Sequence, residues 1–354
     1  MTTQCHALFE NAMGHRSYAR SLATALSADP LIRIDWNPVS YDIPPGVPRS
    51  NRFFPLHVGL NARSVLSSLD LSRTDCLLFH THWVAAGALG RRLPPHVVSL
   101  DATPSAYDAA DSRVAPRTRA TLRSRPLRSA VHRALSRAGL VVALSEWTAQ
   151  QLVDHEKVPE DRIRVVFPGV DTSVFFPRPR DPQRVRITFV GYDFDRKGGQ
   201  RLLEWAATTK VSGWELHLVS PNAPASLPPR VFAHRSTRDA VEVAELLGSS
   251  DIFTLPSGQD IVPVAVIEAL ASGCAVVATS LGAIPDLLDH GGAGALISPG
   301  STIALHAALD DLVRDTARRR ELSAAGRARA VAHYDIAKTS LTMRSALLDA
   351  ASGR

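Results

Sequence analysis

The residues best suited to chemistry lie in one segment of the second half of the chain. A short apolar run ends at Leu255, a turn-rich loop carries Asp260, and a segment of helical periodicity carries Glu268. We expect Pro263 in the first turn of that helix and Gly273 at its end. Loop N–H groups and a helix N-terminus beyond the end of a strand favour phosphate binding. The two carboxylates can reach hydroxyls of the same ligand.

This segment resembles glycosyltransferase family 4, the retaining enzymes of the GT-B fold. The family has a Glu, seven residues and a second Glu, and the matching residues here are Pro256, Ser257, Asp260, Glu268, Ala269, Ala271, Gly273, Val276 and Val277. The resemblance implies that Asp260 lies against the donor sugar and that Glu268 holds the nucleotide ribose. It also implies a donor-binding turn made of Ile261, Val262, Pro263 and Val264. Asp260 replaces the usual Glu and is one methylene shorter.

A second match runs from Phe189 to Gly199 and resembles the first strand and loop of the family's C-terminal domain. It implies that Gly191 lies in the donor site and that Arg196 and Lys197 hold the diphosphate, where negative charge builds up as the sugar leaves. The same charged pair could instead form an exposed turn. Tyr192 stands where many members have an Arg. We expect no metal and no cofactor, because these cations and backbone amides can neutralise the diphosphate.

Two further matches lie in the first half of the chain. The segment from Ser145 to Asp171 resembles the family's entry to its interdomain linker, and we expect Ser145 to cap a helix. The segment from Asn11 to Leu22 resembles a Gly-rich loop near the donor phosphates. Gly14 either takes that role or ends an ordinary turn.

Asp101 follows a predicted strand at the position where family members often present a His near the reactive face of the sugar. It either accepts a hydrogen bond from a sugar hydroxyl or caps the turn at Pro104. The resemblance therefore implies a catalytic set of Arg196, Lys197, Asp260 and Asp101. We interpret His80 and His82 as packed or hydrogen-bonded strand-end residues, since a zinc pair would lack a third ligand.

Short apolar runs alternate with helical segments in both halves of the chain, which predicts an α/β protein with parallel sheets. The predicted strands are Cys76–Phe79, His96–Leu100, Leu140–Leu144, Arg164–Phe167, Arg186–Val190, Glu215–Val219, Asp251–Leu255 and Ala275–Ala278. The resemblance implies two Rossmann-like domains facing an interdomain cleft. We expect an acceptor-binding domain over residues 1–175, a nucleotide-sugar-binding domain over 176–334, and a helix over 335–354 that crosses back to the first domain.

Composition fits an ordinary globular protein, with 354 residues, 45% hydrophobic and 21% charged. No apolar run approaches the roughly 18 residues of a membrane span, and residues 1–10 lack the pattern of a secretory signal. Cys5, Cys76 and Cys274 are scattered, which argues against disulfides and a zinc site. We therefore expect a cytoplasmic protein, with peripheral membrane association left open.

The net charge is +6, and eight arginines without one acid lie between Arg113 and Arg137. We rank three interpretations of this stretch: a solvated surface, then a contact with an anionic membrane or anionic acceptor, then a nucleic-acid site. Nucleic acid is not expected, because interleaved aromatic residues and a recognisable module are lacking. Pro116 and Pro126 exclude one continuous helix.

The resemblance implies transfer of a sugar, with retention, from a nucleoside-diphosphate-sugar to a hydroxyl acceptor. Two alternatives stay open: a GT-B protein that binds nucleotide sugars without turnover, and a nucleotide-sugar epimerase. A nicotinamide dehydrogenase is disfavoured because no strand is followed by GxGxxG with an acid about 20 residues on. Residues 231–236 are a candidate base pocket, but they do not distinguish uracil from guanine.

Overall fold

The structure is a computed structural model that describes residues 2–11, 13–40, 54–105, 125–235 and 240–353. The chain divides into two compact units. Unit 1 comprises Met1–Gly169 together with Ile336–Arg354, and unit 2 comprises Val170–Asp335. The sequence had indicated divisions after residues 175 and 334. The difference arises because the backbone N–H of Val170 donates to the carbonyl of Tyr334 (2.9 Å), which attaches the connecting segment to unit 2.

Unit 1 is a parallel six-stranded sheet of order β2-β1-β3-β4-β5-β6 with helices packed against it. Its elements before the linker are β1 Thr3–Glu10, α1 Met13–Leu26, β2 Ile32–Val39, α2 Phe54–Ser67, β3 Cys76–His80, α3 His82–Gly87, β4 His96–Leu100, α4 Arg125–Arg137, β5 Leu140–Ala143, α5 Glu146–Asp154 and β6 Ile163–Val165. The inner strands are apolar runs buried on both faces, as parallel strands covered by helices require.

Unit 2 is a second parallel six-stranded sheet, of order β12-β11-β10-β7-β8-β9. Its elements are β7 Val185–Val190, α6 Gly199–Thr208, β8 Trp214–Val219, β9 Val231–His234, α7 Ala240–Gly248, β10 Ile252–Leu255, α8 Val264–Ala271, β11 Ala275–Thr279, α9 Ile284–Leu287, β12 Ala295–Ile297, α10 Thr302–Arg314 and α11 Thr316–His333. Strands β7 and β10 are neighbours, so the loops at their carboxyl ends adjoin.

The last helix, α12 (Ile336–Ala351), belongs to unit 1, where it contacts α1 and strands β3, β4 and β5. Arg344 of this helix donates from Nη1 to Asp29 Oδ2 (2.7 Å) near the end of α1. Burial of Met343 and Leu347 adds an apolar contact face. The chain thus returns to its first sheet after completing the second.

The structure defines the ends of two helices, α5 and α8. Ser145 caps α5 by accepting from the N–H of Thr148 (3.0 Å), which confirms the predicted cap. Gly273 follows the end of α8 with a φ of 72°, a left-handed conformation that favours glycine. Pro263 is the N-cap of α8, one position before the expected first turn, because its ψ of 107° is extended.

The arginine-rich stretch lies partly outside the described residues, which resume at residue 125. There α4 begins, with Pro126 in its first turn, where proline is tolerated. The role of this stretch stays a prediction. In the described part of the chain, no helix combines the length and the apolar character that a membrane span needs.

Candidate active site

The turn between β10 and α8 is held in place by the segment that follows β11. The N–H of Ala283 donates to the carbonyl of Ile261 (2.9 Å). Gly282 has a φ of 51°, and a Cβ there would lie 2.7 Å from the Ile261 Cα. The close approach fixes Asp260 and Ile261 at the carboxyl end of the sheet. It also sets where α8 begins, and the N–H of Val266 in its first turn donates to the carbonyl of Pro263 (3.0 Å).

The loop after β7 is tied to the loop after β10. The N–H of Gly258 donates to the carbonyl of Arg196 (2.8 Å). Gly198, with a φ of 87°, packs so closely that a Cβ would overlap the carbonyl oxygen of Pro256. These contacts bring two predicted parts of the site, residues 196–197 and residue 260, into one cluster.

Lys197 and Asp260 form a largely buried ion pair in that cluster. Lys197 Nζ lies 2.5 Å from Asp260 Oδ2, and the two side chains are 16% and 10% exposed. Ser257 Oγ donates to the same carboxylate oxygen (2.8 Å). Within the described ranges, Asp260 Oδ1 accepts no hydrogen bond. The structure therefore joins two residues that the sequence assigned separately to diphosphate and to sugar.

Arg196 forms hydrogen bonds to both loops around this ion pair. Its Nη1 donates to the carbonyl of Gln259 (2.7 Å), and its Nε donates to Asp193 Oδ2 (3.2 Å). Nη2 has no hydrogen-bond partner among the residues that the structure describes. Part of the guanidinium is thus committed to loop structure, and Nη2 is the group left for a ligand.

Glu268 lies in the second turn of α8 and is half-buried. Its carboxylate has no hydrogen-bond or ion-pair partner in the described part of the chain. Burial raises the pKa of this carboxyl to about 7. A partly buried carboxylate without internal partners lowers the stability of the folded protein, and it can accept hydrogen bonds from the hydroxyl groups of a ligand.

Gly191 and Tyr192 follow β7 directly. A Cβ at Gly191 would lie 2.8 Å from the Phe189 ring and 3.1 Å from the Lys197 Cβ, so glycine permits this approach of Lys197. Tyr192 is 59% exposed, and its backbone carbonyl accepts from Asn222 Nδ2 (2.9 Å). The exposed Tyr192 side chain thus stands at the position where many family members have an Arg.

The remaining predicted site residues lie in unit 1. Gly14 is in the first turn of α1, and no atom would lie within 4 Å of a Cβ placed on it. Asp101 follows β4, and its carbonyl accepts from Thr148 Oγ1 (2.6 Å). The Asp101 carboxylate makes no hydrogen bond to any described residue, so the structure shows no cap of the turn at Pro104.

His82 fits the packing interpretation. It is buried in the first turn of α3, and its ring lies against Trp83, with ring centroids 4.1 Å apart. Burial lowers its pKa to about 3, so the ring stays neutral.

A polar cluster at the carboxyl ends of β1, β3 and β4 was not predicted as a unit. It contains Glu10, His15, His80, Thr81 and Ser99. The signal available in the sequence was weak. Polar residues follow the predicted strand Cys76–Phe79 and a polar residue ends β1, but only pairing of the strands brings them together.

Comparisons with known proteins match both units. The family model described as Glycosyltransferase Family 4 matches residues 11–174, and that described as Glycosyl transferases group 1 matches residues 184–315. Together the two models support a glycosyltransferase of the family 4 type, in agreement with the resemblance seen in the sequence.

Curated relatives are similar over part of their length. MMP alpha-(1->4)-mannosyltransferase of Mycolicibacterium hassiacum is 30% identical over 54% of this chain and 49% of the relative. D-inositol 3-phosphate glycosyltransferase of Pseudarthrobacter chlorophenolicus is 27% identical over 56% and 53%. The chain thus spans about half the length of the curated relatives it matches.

Solved structures show the fold. Sucrose-phosphate synthase from Thermosynechococcus elongatus superposes with a TM-score of 0.80 at 17% identity, covering 97% of this chain and 98% of that one. Anabaena HepE in complex with UDP-glucose superposes with a TM-score of 0.70 at 16% identity, covering 98% and 99%. The chain therefore has the two-domain α/β GT-B fold that the sequence predicted.

Proposed function

We propose that this protein is a retaining glycosyltransferase that moves a sugar from a nucleoside-diphosphate-sugar to a hydroxyl acceptor. The observation that carries the proposal is the half-buried carboxylate of Glu268, which has no partner in the described structure, one turn beyond the β10–α8 turn. A ribose offers two adjacent hydroxyls, which can donate to the two oxygens of an ionised carboxylate.

The donor diphosphate would lie at the turn formed by residues 261–264, with cations from the β7 loop. Lys197 has three N–H donors, so it can keep its bond to Asp260 and still reach phosphate. Arg196 would contribute Nη2, and the first N–H groups of α8 would add a favourable dipole. These groups together supply the positive charge that a leaving diphosphate needs without a metal or cofactor.

Asp260 would face the sugar through Oδ1, since Oδ2 is held by Lys197 and Ser257. In the proposed reaction, the bond between the anomeric carbon and the diphosphate oxygen breaks. The acceptor oxygen bonds to the same face of that carbon, and its proton passes to the leaving diphosphate. No protein base is needed in this scheme.

UDP-sugars are the first donors to test, because Anabaena HepE has the same fold and was solved with UDP-glucose. The candidate base pocket, residues 231–236, begins with β9 in unit 2, and Ser236 lies outside the described residues. Unit 1 would bind the acceptor, and Asp101 of that unit would accept a hydrogen bond from a sugar hydroxyl.

The proposal is tested by thermal shift of the full chain against nucleoside diphosphates and their sugars, with Glu268→Ala in parallel. We expect one nucleotide to stabilise the wild-type protein and to lose most of that effect in the variant. No stabilisation by any nucleotide at millimolar concentration would contradict the proposal.

Stereochemistry is tested separately with the stabilising donor. Proton NMR of the first product formed should show the anomeric configuration of the donor. An inverted product would overturn retention, and stabilisation without any transfer would favour a binding protein that lacks turnover.

A further inference from the structure

A chain of hydrogen bonds links α1 to the interior of the first sheet. His15 Nδ1 lies 2.8 Å from His80 Nε2, and His80 Nδ1 lies 2.7 Å from Ser99 Oγ. His80 and Ser99 are fully buried and are register partners on β3 and β4. His15 is the outer member, with its side chain 20% exposed.

His80 works as a neutral connector. Burial and the nearby His15 lower its pKa well below 6.5, so the ring carries one N–H at neutral pH. Its ring also stacks on Phe9, with centroids 4.3 Å apart, and Tyr18 lies on another side at 5.6 Å. This enclosure fixes the His80 ring. The hydrogen bond between His80 Nε2 and His15 Nδ1 then fixes the orientation of the His15 ring.

The outer nitrogen of His15 faces a buried carboxylate at an unusual distance. His15 Nε2 lies 3.8 Å from Glu10 Oε2, which is too long for a direct hydrogen bond. Glu10 is 2% exposed, and its Oε1 accepts from Thr81 Oγ1 (2.6 Å). His15 Nε2 has no hydrogen-bond partner among the residues that the structure describes.

An oxygen atom about 2.8 Å from both atoms would lie within hydrogen-bond distance of each. A hydroxyl suits both atoms, since it can accept from the His15 Nε2–H and donate to Glu10 Oε2, which can accept more than one hydrogen bond. A phosphate oxygen could accept from His15 but could not donate to Glu10, and its charge would be repelled by that carboxylate. The arrangement therefore selects a neutral hydroxyl over an anion.

We propose that His15 Nε2 and Glu10 Oε2 together bind one ring hydroxyl of a sugar or cyclitol, with His80 and Ser99 as positioning residues. The inference rests on the proposed function in that unit 1 holds the acceptor, and it adds the chemistry by which a polyol is recognised there. The hydroxyl belongs either to the acceptor or to the donor sugar, and the two sources give different results below.

The test is NMR of the full chain with ¹⁵N-labelled histidine, in which the His15 signals are identified by their loss in His15→Gln. The probes are myo-inositol, glucose, inorganic phosphate, UDP and UDP-glucose. We expect His15 Nε2 to shift with myo-inositol or glucose if the hydroxyl is the acceptor's. If the hydroxyl belongs to the donor sugar, UDP-glucose should shift it and UDP should not. An equal shift with phosphate or UDP, or no shift with any sugar or cyclitol up to about 100 mM, overturns the inference.

Variants separate recognition from general damage. Glu10→Gln should weaken the binding of the sugar probe about tenfold, because it removes the charged acceptor, and should strengthen the binding of phosphate. Thr81→Val is the second variant, since it removes only the hydroxyl that holds Glu10. His6→Gln is the matched control, because His6 is also a histidine near a carboxylate, with its Nδ1 3.9 Å from Asp35 Oδ2. It should leave the affinity for the sugar probe unchanged. Equal affinity in Glu10→Gln and wild type would contradict the proposal.

Failure of this inference can be distinguished from failure of the proposed donor site. Loss of UDP binding in Glu268→Ala tests the proposed function in unit 2, whereas the His15 shifts test unit 1. A sugar that shifts His15 without any UDP effect would keep this inference and reject the donor assignment. The reverse outcome would keep the donor site and reject the hydroxyl site.

Discussion

Glu268→Gln should make the protein more stable at alkaline pH while weakening nucleotide binding. Burial raises the pKa of Glu268 from an ordinary value of 4.5 to about 7. Below pH 4.5 the group is protonated in the folded and unfolded states and has no effect. Between pH 4.5 and 7 only the unfolded state releases its proton, so the folded state loses stability as the pH rises.

The full penalty is reached above pH 7 and corresponds to about 3 kcal/mol, an upper limit because the side chain is only half-buried. Glutamine removes this penalty, since it carries no charge to desolvate. The free energy of unfolding of Glu268→Gln should therefore exceed that of the wild type by about 1–3 kcal/mol at pH 8.5, and the difference should vanish near pH 4.5.

Urea denaturation followed by circular dichroism at pH 4.5, 6, 7 and 8.5 measures this difference. Glu204→Gln, at an exposed glutamate of α6, is the matched control and should show no such trend. A difference between Glu268→Gln and wild type that does not change with pH, or that favours the wild type at pH 8.5, would refute the argument.

Three further changes have directions set by the structure. Gly198→Ala should lower the free energy of unfolding by at least about 2 kcal/mol, because the φ of 87° and the nearby carbonyl of Pro256 both oppose a Cβ at this position. A loss under about 0.5 kcal/mol in urea denaturation would contradict this packing. Lys197→Met should lower the free energy of unfolding by about 3 kcal/mol, because it leaves Asp260 buried without its cation. It should also weaken the binding of UDP, measured by calorimetry. An unchanged affinity for UDP would exclude Lys197 from the donor site. Ser145→Ala should cost about 1 kcal/mol in thermal or urea unfolding through the lost cap of α5, and a neutral result would show that the cap adds nothing.

Features set by local sequence were predictable. The cap at Ser145 and the glycine after α8 depend on residues within one helical turn. The apolar runs of the inner strands predict strands that are covered by helices on both faces of a parallel sheet. The break between α10 and α11 was not predicted. Its signal is Asp315, which caps α11 by accepting from the N–H of Arg318, and an isolated aspartate among charged residues looks like ordinary helix surface.

Contacts between distant residues could not be predicted in the same way. The sequence indicated Lys197 and Asp260 as members of one site, but their direct pairing follows from the adjacency of β7 and β10. The use of Arg196 to hold the carbonyl of Gln259 depends on the same adjacency. His15 and His80 meet because α1 packs beside the end of β3, and neither residue has a local pattern that indicates this contact.

Isothermal titration of UDP and UDP-glucose into the wild-type protein and Glu268→Gln, at pH 6 and pH 8, tests the proposed donor site most directly. One or both ligands should bind the wild type, more tightly at pH 8, where Glu268 is ionised and can accept hydrogen bonds from the ribose hydroxyls. Binding to Glu268→Gln should be at least tenfold weaker, with no dependence on pH from this group. Equal affinity in the two proteins at pH 8 would contradict the assignment of Glu268 to the donor site.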